Sequence, residues 1–440
     1  MEIFFILLAI YTAALIWISW RAGKNETDEG FLMADRNRSW WQVGFSKYAA
    51  SVGAVWFFSY TGFAYEFGWP LGLVFVGLVA GVLVYASWAV PRIRTQETAN
   101  AYTQGDYVLA RTRSLTAKRF WDLVVSLMLF LTLVIAPVGA ASLLDSFGIM
   151  SYEMAVIFTM VVVVGYILLS GFRAVMLTDI LQGLLILGMV AVVVVGIMQV
   201  QPVTLEVLTE KRDVTTVGTI ILMLFGFLSI FADPTRFQVA FAGLSNRDVA
   251  RGMRASILPL VLTGLALYLI GNSVYILDPA LNPSYVLPAA LTSYLPAAVV
   301  PIGLLVFFVA LMSTADSYIY ALATHTAHFF SKKKLHKTII RKLILLHGIL
   351  ITVAALIFRD LVDLAVVTAA LLLVMAVPIF YIIAGGKDAM RFIVLLSGGL
   401  IGMMAGIILV GLEPDAGAFV FVGFLLSLLI PAKRLERWLA

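Results

Sequence analysis

The chain has 440 residues, of which 62% are hydrophobic and 12% are charged, and its formal net charge is +5. A soluble domain is about 45–50% apolar and about 25% charged, so this composition excludes a water-soluble globular protein and indicates a polytopic membrane protein. The chain contains no cysteine, which excludes disulfide and thiol chemistry. We attribute the net positive charge to membrane topology rather than to nucleic-acid binding.

Apolar segments of roughly the 20 residues needed to cross a bilayer follow one another along the chain. Arg21 and Lys24 follow the first segment and no basic residue precedes it, which indicates a retained span rather than a cleaved signal peptide. The pattern predicts thirteen transmembrane helices in an all-α fold, with bounds near 2–20, 43–67, 70–91, 120–146, 152–170, 176–199, 217–241, 255–276, 297–330, 343–358, 361–384, 392–411 and 416–432.

The basic residues are distributed unevenly among the loops between these spans. Of the 30 basic residues, 25 lie in odd-numbered loops and the C-terminal segment, and three lie in even-numbered loops. Cytoplasmic loops carry an excess of Lys and Arg, so the N-terminus is expected outside and the C-terminus in the cytoplasm. We therefore expect a multi-pass protein of the plasma membrane, in contact with lipid.

Two predicted spans contain helix-breaking sequences in matching places. The second span carries AASVGA at 49–54, and the seventh carries Asp233-Pro234 near its middle. Such breaks free backbone carbonyls at membrane depth, which is tolerated where they line a cavity or hold an ion. Gly and Pro are also common in ordinary membrane helices. A matched pair five spans apart nevertheless indicates the inverted repeat of a secondary transporter.

The predicted repeats comprise spans 2–6 and spans 7–11, and together they define three regions of the chain. Residues 1–42 are expected to form the first helix and a cytoplasmic loop. Residues 43–384 are expected to form a ten-helix transport core, and residues 385–440 two further transmembrane helices.

The ninth span carries a carboxylate, Asp316, within VALMSTADS at 309–317. A charge at the membrane centre costs about 2.5–3.5 kcal/mol on insertion scales, so it indicates a cation site, a proton carrier or a charge pair. Ser313, Asp316 and Ser317 share one helix face. Hard oxygen donors of this kind suit Na⁺ better than a soft metal.

Four blocks of this sequence resemble the sodium:solute symporter family, whose members transport sugars, proline, pantothenate, sialic acid and similar solutes. The blocks are FLMADRNRSWWQVGFSKYAASVGAVWFFSYTGFAYEFG at 31–68, GFRAVMLTDILQGLLILG at 171–188, FADPTRFQVAFAGLSNRDVARG at 231–252 and VALMSTADS. The resemblance implies a leucine-transporter-like inverted-repeat fold. The third block departs from the family at Gln238-Val239, where members often have Gln-Arg.

The resemblance implies a main Na⁺ site between the first broken helix and the ninth span. Its ligands are expected to be three backbone carbonyls and two hydroxyls, from Ala49, Val52, Ala310, Ser313 and Thr314. Without the break opposite them, helix-interface packing or hydrogen bonding to a carbonyl one turn earlier would be the favoured interpretation of the two hydroxyls.

A second site used by some family members corresponds to Asp179, Ser313, Asp316 and Ser317, with Asp316 in place of the family's hydroxyl residue. Two carboxylates there can bind a cation or share a proton. Asp179 can equally be a first-turn acid at a helix N-terminus or a partner of Arg173.

The solute site is expected between the two breaks. Trp56 stands where galactose-transporting relatives contact sugar, and a Trp disfavours sugar at that position. Asp233 can meet a substrate amine, or it can cap the second half-helix and pair with Arg236. Glycines and aromatic rings favour a small, partly apolar solute, so proline or another small amino acid is expected. The implied contacts are Ser51, Gly53, Trp56, Phe231 and Asp233.

The predicted function is therefore Na⁺-coupled secondary active symport by a monomer or weak homo-oligomer, with no nucleic-acid partner. Proton-coupled symport of a small carboxylate through Asp316 and Asp179 is one alternative. A transporter-like nutrient sensor is another, which the lack of a signalling domain disfavours. A membrane-embedded enzyme is disfavoured because no nucleophile–base pattern, nucleotide-binding loop or zinc spacing is found.

Overall fold

The protein is described by a computed structural model covering residues 2–24, 27–53, 55–169, 171–200, 204, 209, 214–294, 296, 299–330 and 336–431. Within these residues all regular structure is helical, apart from an isolated bridge between Arg38 and Gly243. Part of the orientation prediction rests on basic residues outside the described ranges, namely Lys211, Arg212, Lys332, Lys333, Lys334, Lys433, Arg434 and Arg437.

The helices begin and end close to the predicted spans, with short helices added in the loops. The first ten are α1 (Glu2–Gly23), α2 (Asp28–Met33), α3 (Trp40–Ser51), α4 (Thr61–Phe67), α5 (Gly72–Val84), α6 (Val90–Ile93), α7 (Gln104–Thr112), α8 (Leu115–Ser146), α9 (Tyr152–Leu169) and α10 (Phe172–Val200). The others are α11 (Thr216–Ala232), α12 (Pro234–Ala242), α13 (Asn246–Ala255), α14 (Ile257–Leu277), α15 (Val286–Tyr294), α16 (Val300–Phe330), α17 (Lys337–Ile357), α18 (Leu361–Ile383), α19 (Ala389–Val410) and α20 (Ala416–Leu428).

Many helices begin at a side chain that accepts a hydrogen bond from a first-turn amide, which satisfies a donor that the helix itself leaves unpaired. These capping residues are Thr103, Ser114, Thr215, Ser245, Asp360 and Asp388. They explain why the helices begin where the polar loops end.

Ten of the described helices are long and apolar enough to cross a membrane, or eleven when the bent pair α11–α12 is counted as one span. Two predicted spans fall short of that criterion. The span at 43–67 is divided by a break, and α20 has 13 residues. The chain is thus an all-helical, multi-pass membrane protein over its described part, and the count of thirteen stays a prediction.

Both predicted helix breaks are present in the structure. Helix α3 ends at Ser51, and a wide π-helical segment, Val55–Tyr60, leads into α4. Helix α11 ends at Ala232, Asp233 is extended, and α12 begins at Pro234 with its axis bent by 43°. Proline lacks the amide proton that a continuous helix requires, which explains the second break.

Helix α16 lies at the centre of the bundle. It packs against α3, α8, α10 and α17. Of its most apolar stretch of 18 residues, 89% is buried inside the protein, whereas the same fraction for α1 is 28%. A polar residue on α16 therefore faces other helices rather than lipid, which accounts for its tolerance of Asp316.

Candidate functional site

The break in the first half-helix pair lies directly against α16. A Cβ atom added to Gly53 would lie 1.1 Å from Oγ1 and 2.3 Å from Cβ of Thr314, and 3.1 Å from the carbonyl oxygen of Ala310. Glycine is needed at position 53 because this approach leaves no room for a side chain. The sequence therefore places the break beside two of the residues expected to bind Na⁺.

Two of the residues predicted for the main Na⁺ site, Ala310 and Thr314, lie at this contact. The helical hydrogen bonds of α3 end with the amide of Val52 donating to the carbonyl of Tyr48 at 3.0 Å, and carbonyls in the last turn of a helix lack helical partners. The hydroxyl of Thr314 lies 3.5 Å from the carbonyl oxygen of Ala50. All five predicted ligand residues are buried: Ala49, Val52, Ala310, Ser313 and Thr314.

Asp179 joins three helices through hydroxyl groups. Its Oδ2 accepts a hydrogen bond from Ser46 of α3 at 2.6 Å, and its Oδ1 accepts one from Ser313 of α16 at 3.1 Å. The side chain is fully buried, and α10 begins seven residues earlier at Phe172. The first-turn interpretation of Asp179 is therefore wrong, and its hydrogen-bond partners are these hydroxyls rather than Arg173. Ser313 belongs to both predicted cation sites.

Asp316 is also fully buried, and its Oδ2 accepts a hydrogen bond from the hydroxyl of Tyr166 on α9 at 2.8 Å. Its other oxygen, Oδ1, has no hydrogen bond to the described residues. Ser317 is buried beside it. This carboxylate therefore retains an oxygen that could bind a cation or carry a proton.

Asp233 lies at the second break, in a buried cluster of charges. Its Oδ1 accepts hydrogen bonds from the amide and hydroxyl of Thr235, at 2.9 and 2.7 Å, and so caps α12. Its Oδ2 contacts the ammonium group of Lys47 and lies 3.7 Å from Nε of Arg236. The capping interpretation is thus observed, whereas Arg236 lies within ion-pair range of Asp233 without forming a hydrogen bond to it. The Lys47 contact, which joins the two broken helices, was not predicted.

A freed carbonyl at the second break is satisfied by a residue that sequence reasoning missed. Nε2 of Gln104, at the start of α7, donates to the carbonyl of Ala232 at 3.0 Å. The second break thus keeps fewer open carbonyls than predicted, which makes the first break the better candidate for ion binding.

A cavity of ≈ 110 Å³ lies between the two breaks and α16. Four predicted solute contacts line it: Ser51, Gly53, Trp56 and Asp233. It also reaches Thr314 of the predicted Na⁺ site. The rest of its wall is mostly apolar, with hydroxyls from Thr132, Ser229 and Thr368, and the side chains of Arg236 and Tyr318 also line it.

Phe231 does not line this cavity. Its fully buried ring packs edge-on against Tyr85, Trp88 and Phe380, at centroid distances of 5.8, 6.3 and 5.2 Å. The solute contact predicted for Phe231 is therefore absent from this conformation, in which the residue is part of an aromatic cluster behind the second break.

A second, mostly apolar cavity of ≈ 140 Å³ adjoins the first and runs from Trp56 past Phe67 to Glu413. Trp56 lines both cavities and stacks on Tyr60 at 5.4 Å. Its indole thus forms part of the boundary between the central cavity and the one on the predicted extracellular side.

A buried charge network ties α16 to α7 and α8. Lys118 lies 2.5 Å from Asp122 and 3.5 Å from Asp106, and Asp122 and Asp106 contact the histidine rings of His325 and His328 at 3.0 and 3.3 Å. Burial raises the pKa of Asp106 on α7, but the ion pairs with His328 and Lys118 outweigh this effect and hold the pKa below its usual range. The network is expected to fix the C-terminal end of α16.

Comparison with known proteins agrees with this architecture. The family model described as the sodium:solute symporter family matches residues 31–343. An inferred sodium-dependent multivitamin transporter from Drosophila melanogaster is 27% identical over 190 residues, covering 43% of this chain and 31% of its own length. The chain therefore spans about a third of the length of that curated relative.

Solved structures show the same fold at low sequence identity. A Na⁺-coupled sialic acid symporter, in a substrate-bound outward-open state, matches with a TM-score of 0.78 and 18% identity over 97% of this chain and 98% of its own. A nucleobase-cation-symport-1 family transporter in a closed conformation matches with a TM-score of 0.61 and 13% identity, over 92% and 94% of the two chains. Since the family model covers well over half of the sequence, this chain belongs to the sodium:solute symporter family.

Proposed function

We propose that this protein is a Na⁺-coupled secondary active symporter that imports a small organic solute. The observation that carries the proposal is the contact of Gly53 with Thr314 and the Ala310 carbonyl. It sets a helix break against a hydroxyl-bearing helix at the edge of the central cavity. Family membership supports transport rather than enzymatic chemistry, and supports Na⁺ as the coupling ion.

In this proposal Na⁺ binds between α3 and α16. The ion is held by carbonyl and hydroxyl oxygens of Ala49, Val52, Ala310, Ser313 and Thr314. Such neutral oxygens suit a hard cation, and a site without a bound carboxylate releases its ion more readily than a charged one. Ion binding stabilises the approach of the two helices and completes the solute cavity. Each charge moved through 100 mV supplies about 2.3 kcal/mol for accumulation.

The solute is proposed to bind in the central cavity against Ser51, Gly53, Trp56 and Asp233, and a small amino acid such as proline remains the expected class. The proposed architecture is thirteen spans, with inverted repeats within 43–384, flanked by 1–42 and 385–440. The N-terminus is proposed to be outside and the C-terminus cytoplasmic, in a monomer or weak homo-oligomer.

The coupling ion can be tested without knowing the solute. Purified protein is unfolded thermally in NaCl and in choline chloride, and the variant Thr314→Val removes one proposed ligand oxygen at constant shape. A ligand that binds only the folded state stabilises it by about 1.4 kcal/mol at ten times its dissociation constant. We expect Na⁺ to raise the melting temperature of the parent protein and to do so only at higher concentration in Thr314→Val.

The matched control is Thr159→Val on α9. Thr159 is also buried, and its hydroxyl has no hydrogen-bond partner among the described residues. This variant should keep the full response to Na⁺. Equal melting temperatures of the parent protein in NaCl and in choline chloride, across the full range of salt concentrations, would refute Na⁺ binding at this site.

Proton coupling is the second candidate, and the complete burial of Asp316, with Oδ1 unpaired among the described residues, favours it. Asp316 and Asp179 lie on neighbouring helices, and Ser313 is shared between their sites. Uptake driven by a pH gradient in the absence of Na⁺, and lost in Asp316→Asn, would support this candidate over Na⁺ coupling.

A further inference from the structure

The charges at the second break do not balance. Lys47, Arg236 and Asp233 form a buried group, in which the exposed fraction of the side chain is 0%, 3% and 12% respectively. Two cations therefore contact one carboxylate, and the next carboxylate, Asp179, interacts electrostatically with Lys47 and not with Arg236. Buried charges are stable only when they are paired or hydrogen-bonded, so this group has the capacity to accept one further anion.

The surplus cation is Arg236 rather than Lys47. The ammonium group of Lys47 contacts Asp233 directly and donates to the Thr235 hydroxyl at 2.8 Å. The Thr235 amide and hydroxyl occupy the other oxygen of Asp233. Nε of Arg236 lies 3.7 Å from the carboxylate, which is beyond hydrogen-bond distance.

The guanidinium of Arg236 finds only weak partners in the described part of the chain. One of its terminal nitrogens lies 3.7 Å from the thioether sulfur of Met253, and its central carbon lies 5.9 Å from the ring centre of Tyr85. Its Nε has no hydrogen-bond acceptor among the residues that the structure describes. A guanidinium offers five donors in a planar fork that matches a carboxylate, and Arg236 lines the central cavity.

We propose that Arg236 binds a carboxylate group of the transported solute. The inference rests on the proposed function and adds the chemical group that the solute must carry. Tyr318 of α16 lines the same cavity and can donate its hydroxyl to that carboxylate, so a bound anion would bridge α12 and α16. Valine, leucine, phenylalanine and isoleucine side chains in the cavity wall fit a compact apolar body on the solute.

The same geometry argues against recognition of an ammonium group. Asp233 is the sole acidic residue among the described residues that line the cavity, and Lys47 and Thr235 already occupy its oxygens. The solute class is therefore a small carboxylate with an apolar body, with or without an amine. Of the groups of the expected amino acid, the cavity thus offers contacts to the carboxylate and to the apolar body, and not to the amine.

The test uses four compounds that share one five-membered ring: L-proline, L-prolinamide, cyclopentanecarboxylate and cyclopentanecarboxamide. Thermal unfolding of the full-length protein is measured with each compound in NaCl. We expect at least one of the two acids to raise the melting temperature and neither amide to do so. Benzoate and benzamide extend the comparison to a flat ring.

Variants at position 236 assign the effect to the guanidinium. Arg236→Gln should weaken the apparent affinity for the acid by about 10- to 100-fold, as expected for loss of a charge-assisted hydrogen bond. Arg236→Lys keeps the positive charge but lacks the planar fork of donors. Its affinity for the acid should therefore lie between that of the parent protein and that of Arg236→Gln. The matched control is Arg247→Gln, since Arg247 is exposed on α13. A merely structural role for Arg236 does not distinguish an acid from its amide.

The response to Na⁺ without solute separates failure of this inference from failure of the proposed function. Retained Na⁺ stabilisation with equal shifts for acid and amide would overturn the role of Arg236 and leave Na⁺ coupling intact. Undiminished acid binding in Arg236→Gln, or stabilisation by none of the acids, overturns it as well. Acid-specific stabilisation that persists without Na⁺ supports Arg236 and counts against Na⁺ coupling.

Discussion

Replacing Gly53 by alanine should separate the first helix break from α16. The added Cβ would lie 2.3 Å from Cβ of Thr314, whereas carbon atoms in contact prefer about 3.5–4.0 Å. The two backbones therefore have to move apart by roughly 1.2 Å or more, because rotating the threonine moves Oγ1 but leaves its Cβ in place. Overpacking of this kind costs about 1–3 kcal/mol.

Ion binding should suffer more than stability from this movement. Metal–ligand distances are held to within about 0.2 Å, so a separation of an ångström removes the ion's contacts to one of the two helices. Displacing groups that merely support a metal ligand typically costs about 10- to 100-fold in affinity. We expect Gly53→Ala to raise the Na⁺ concentration needed for thermal stabilisation by at least that factor, and to reduce Na⁺-driven uptake in proportion.

The control for this experiment is Gly165→Ala on α9. A Cβ added at Gly165 would have no neighbour within 4 Å, and alanine is favoured over glycine in a helix by about 1 kcal/mol. This variant should bind Na⁺ like the parent protein and be no less stable. If Gly53→Ala keeps the parental Na⁺ response, the break does not hold the ion against α16, and the proposed site is wrong.

Three further predictions concern the buried charges. Asp179→Asn keeps the side-chain shape but removes the charge, and should lower Na⁺ affinity about 10-fold in the same thermal assay. Asp233→Asn leaves the buried cations Lys47 and Arg236 without their shared carboxylate and should destabilise the protein by about 3–5 kcal/mol, whereas adding Lys47→Met should recover part of that loss; a failure of the double variant to recover counts against the pair. The lowered pKa of Asp106 means that its charge contributes stability above the unfolded pKa of about 3.9 and loses it as pH falls further. The melting-temperature deficit of Asp106→Asn should therefore shrink between pH 6 and pH 3, and a constant deficit contradicts the contribution of the charge.

Features that depend on local sequence could be predicted well. The helix break at Asp233-Pro234 follows from the missing amide proton of proline, and helix starts follow from capping residues such as Ser114 and Thr215. The burial of Asp316 also follows, because a carboxylate within an apolar span has to face other helices rather than lipid.

Features that depend on contacts between distant segments could not be predicted in the same way. Lys47 and Asp233 are 186 positions apart, and Ser46 and Asp179 are 133 apart. The position of Lys47 within an apolar span nevertheless indicates an ion pair, because a lysine there needs a buried partner. What the sequence alone could not provide was which acid lies opposite it.

The misplacement of Phe231 has a similar cause. Because Phe231 is close to the second break, we expected its side chain to contact the solute. The direction of that side chain, however, depends on the backbone dihedral angles of the break itself. Helix α11 retains its helical geometry up to Ala232, so Phe231 points toward Tyr85 and Phe380, away from the open side of the break. Arg236, two residues beyond the proline, is one of the residues that this geometry directs to the cavity.

In the proposed mechanism, the coupling of ion and solute follows from residues that belong to both sites. Gly53 and Thr314 line the central cavity, and they are also the contact that closes α3 onto α16. An ion between these helices favours the arrangement that encloses the cavity, and a solute carboxylate between Arg236 and Tyr318 favours the approach of α16 to α12. Both ligands thus stabilise one arrangement of α16, so each must raise the affinity for the other by the same factor. At equilibrium the acid should therefore lower the Na⁺ concentration needed for half-maximal stabilisation, and Na⁺ should tighten acid binding by the same factor. A coupling factor of one, with both ligands still binding, would show that the two do not act through this helix.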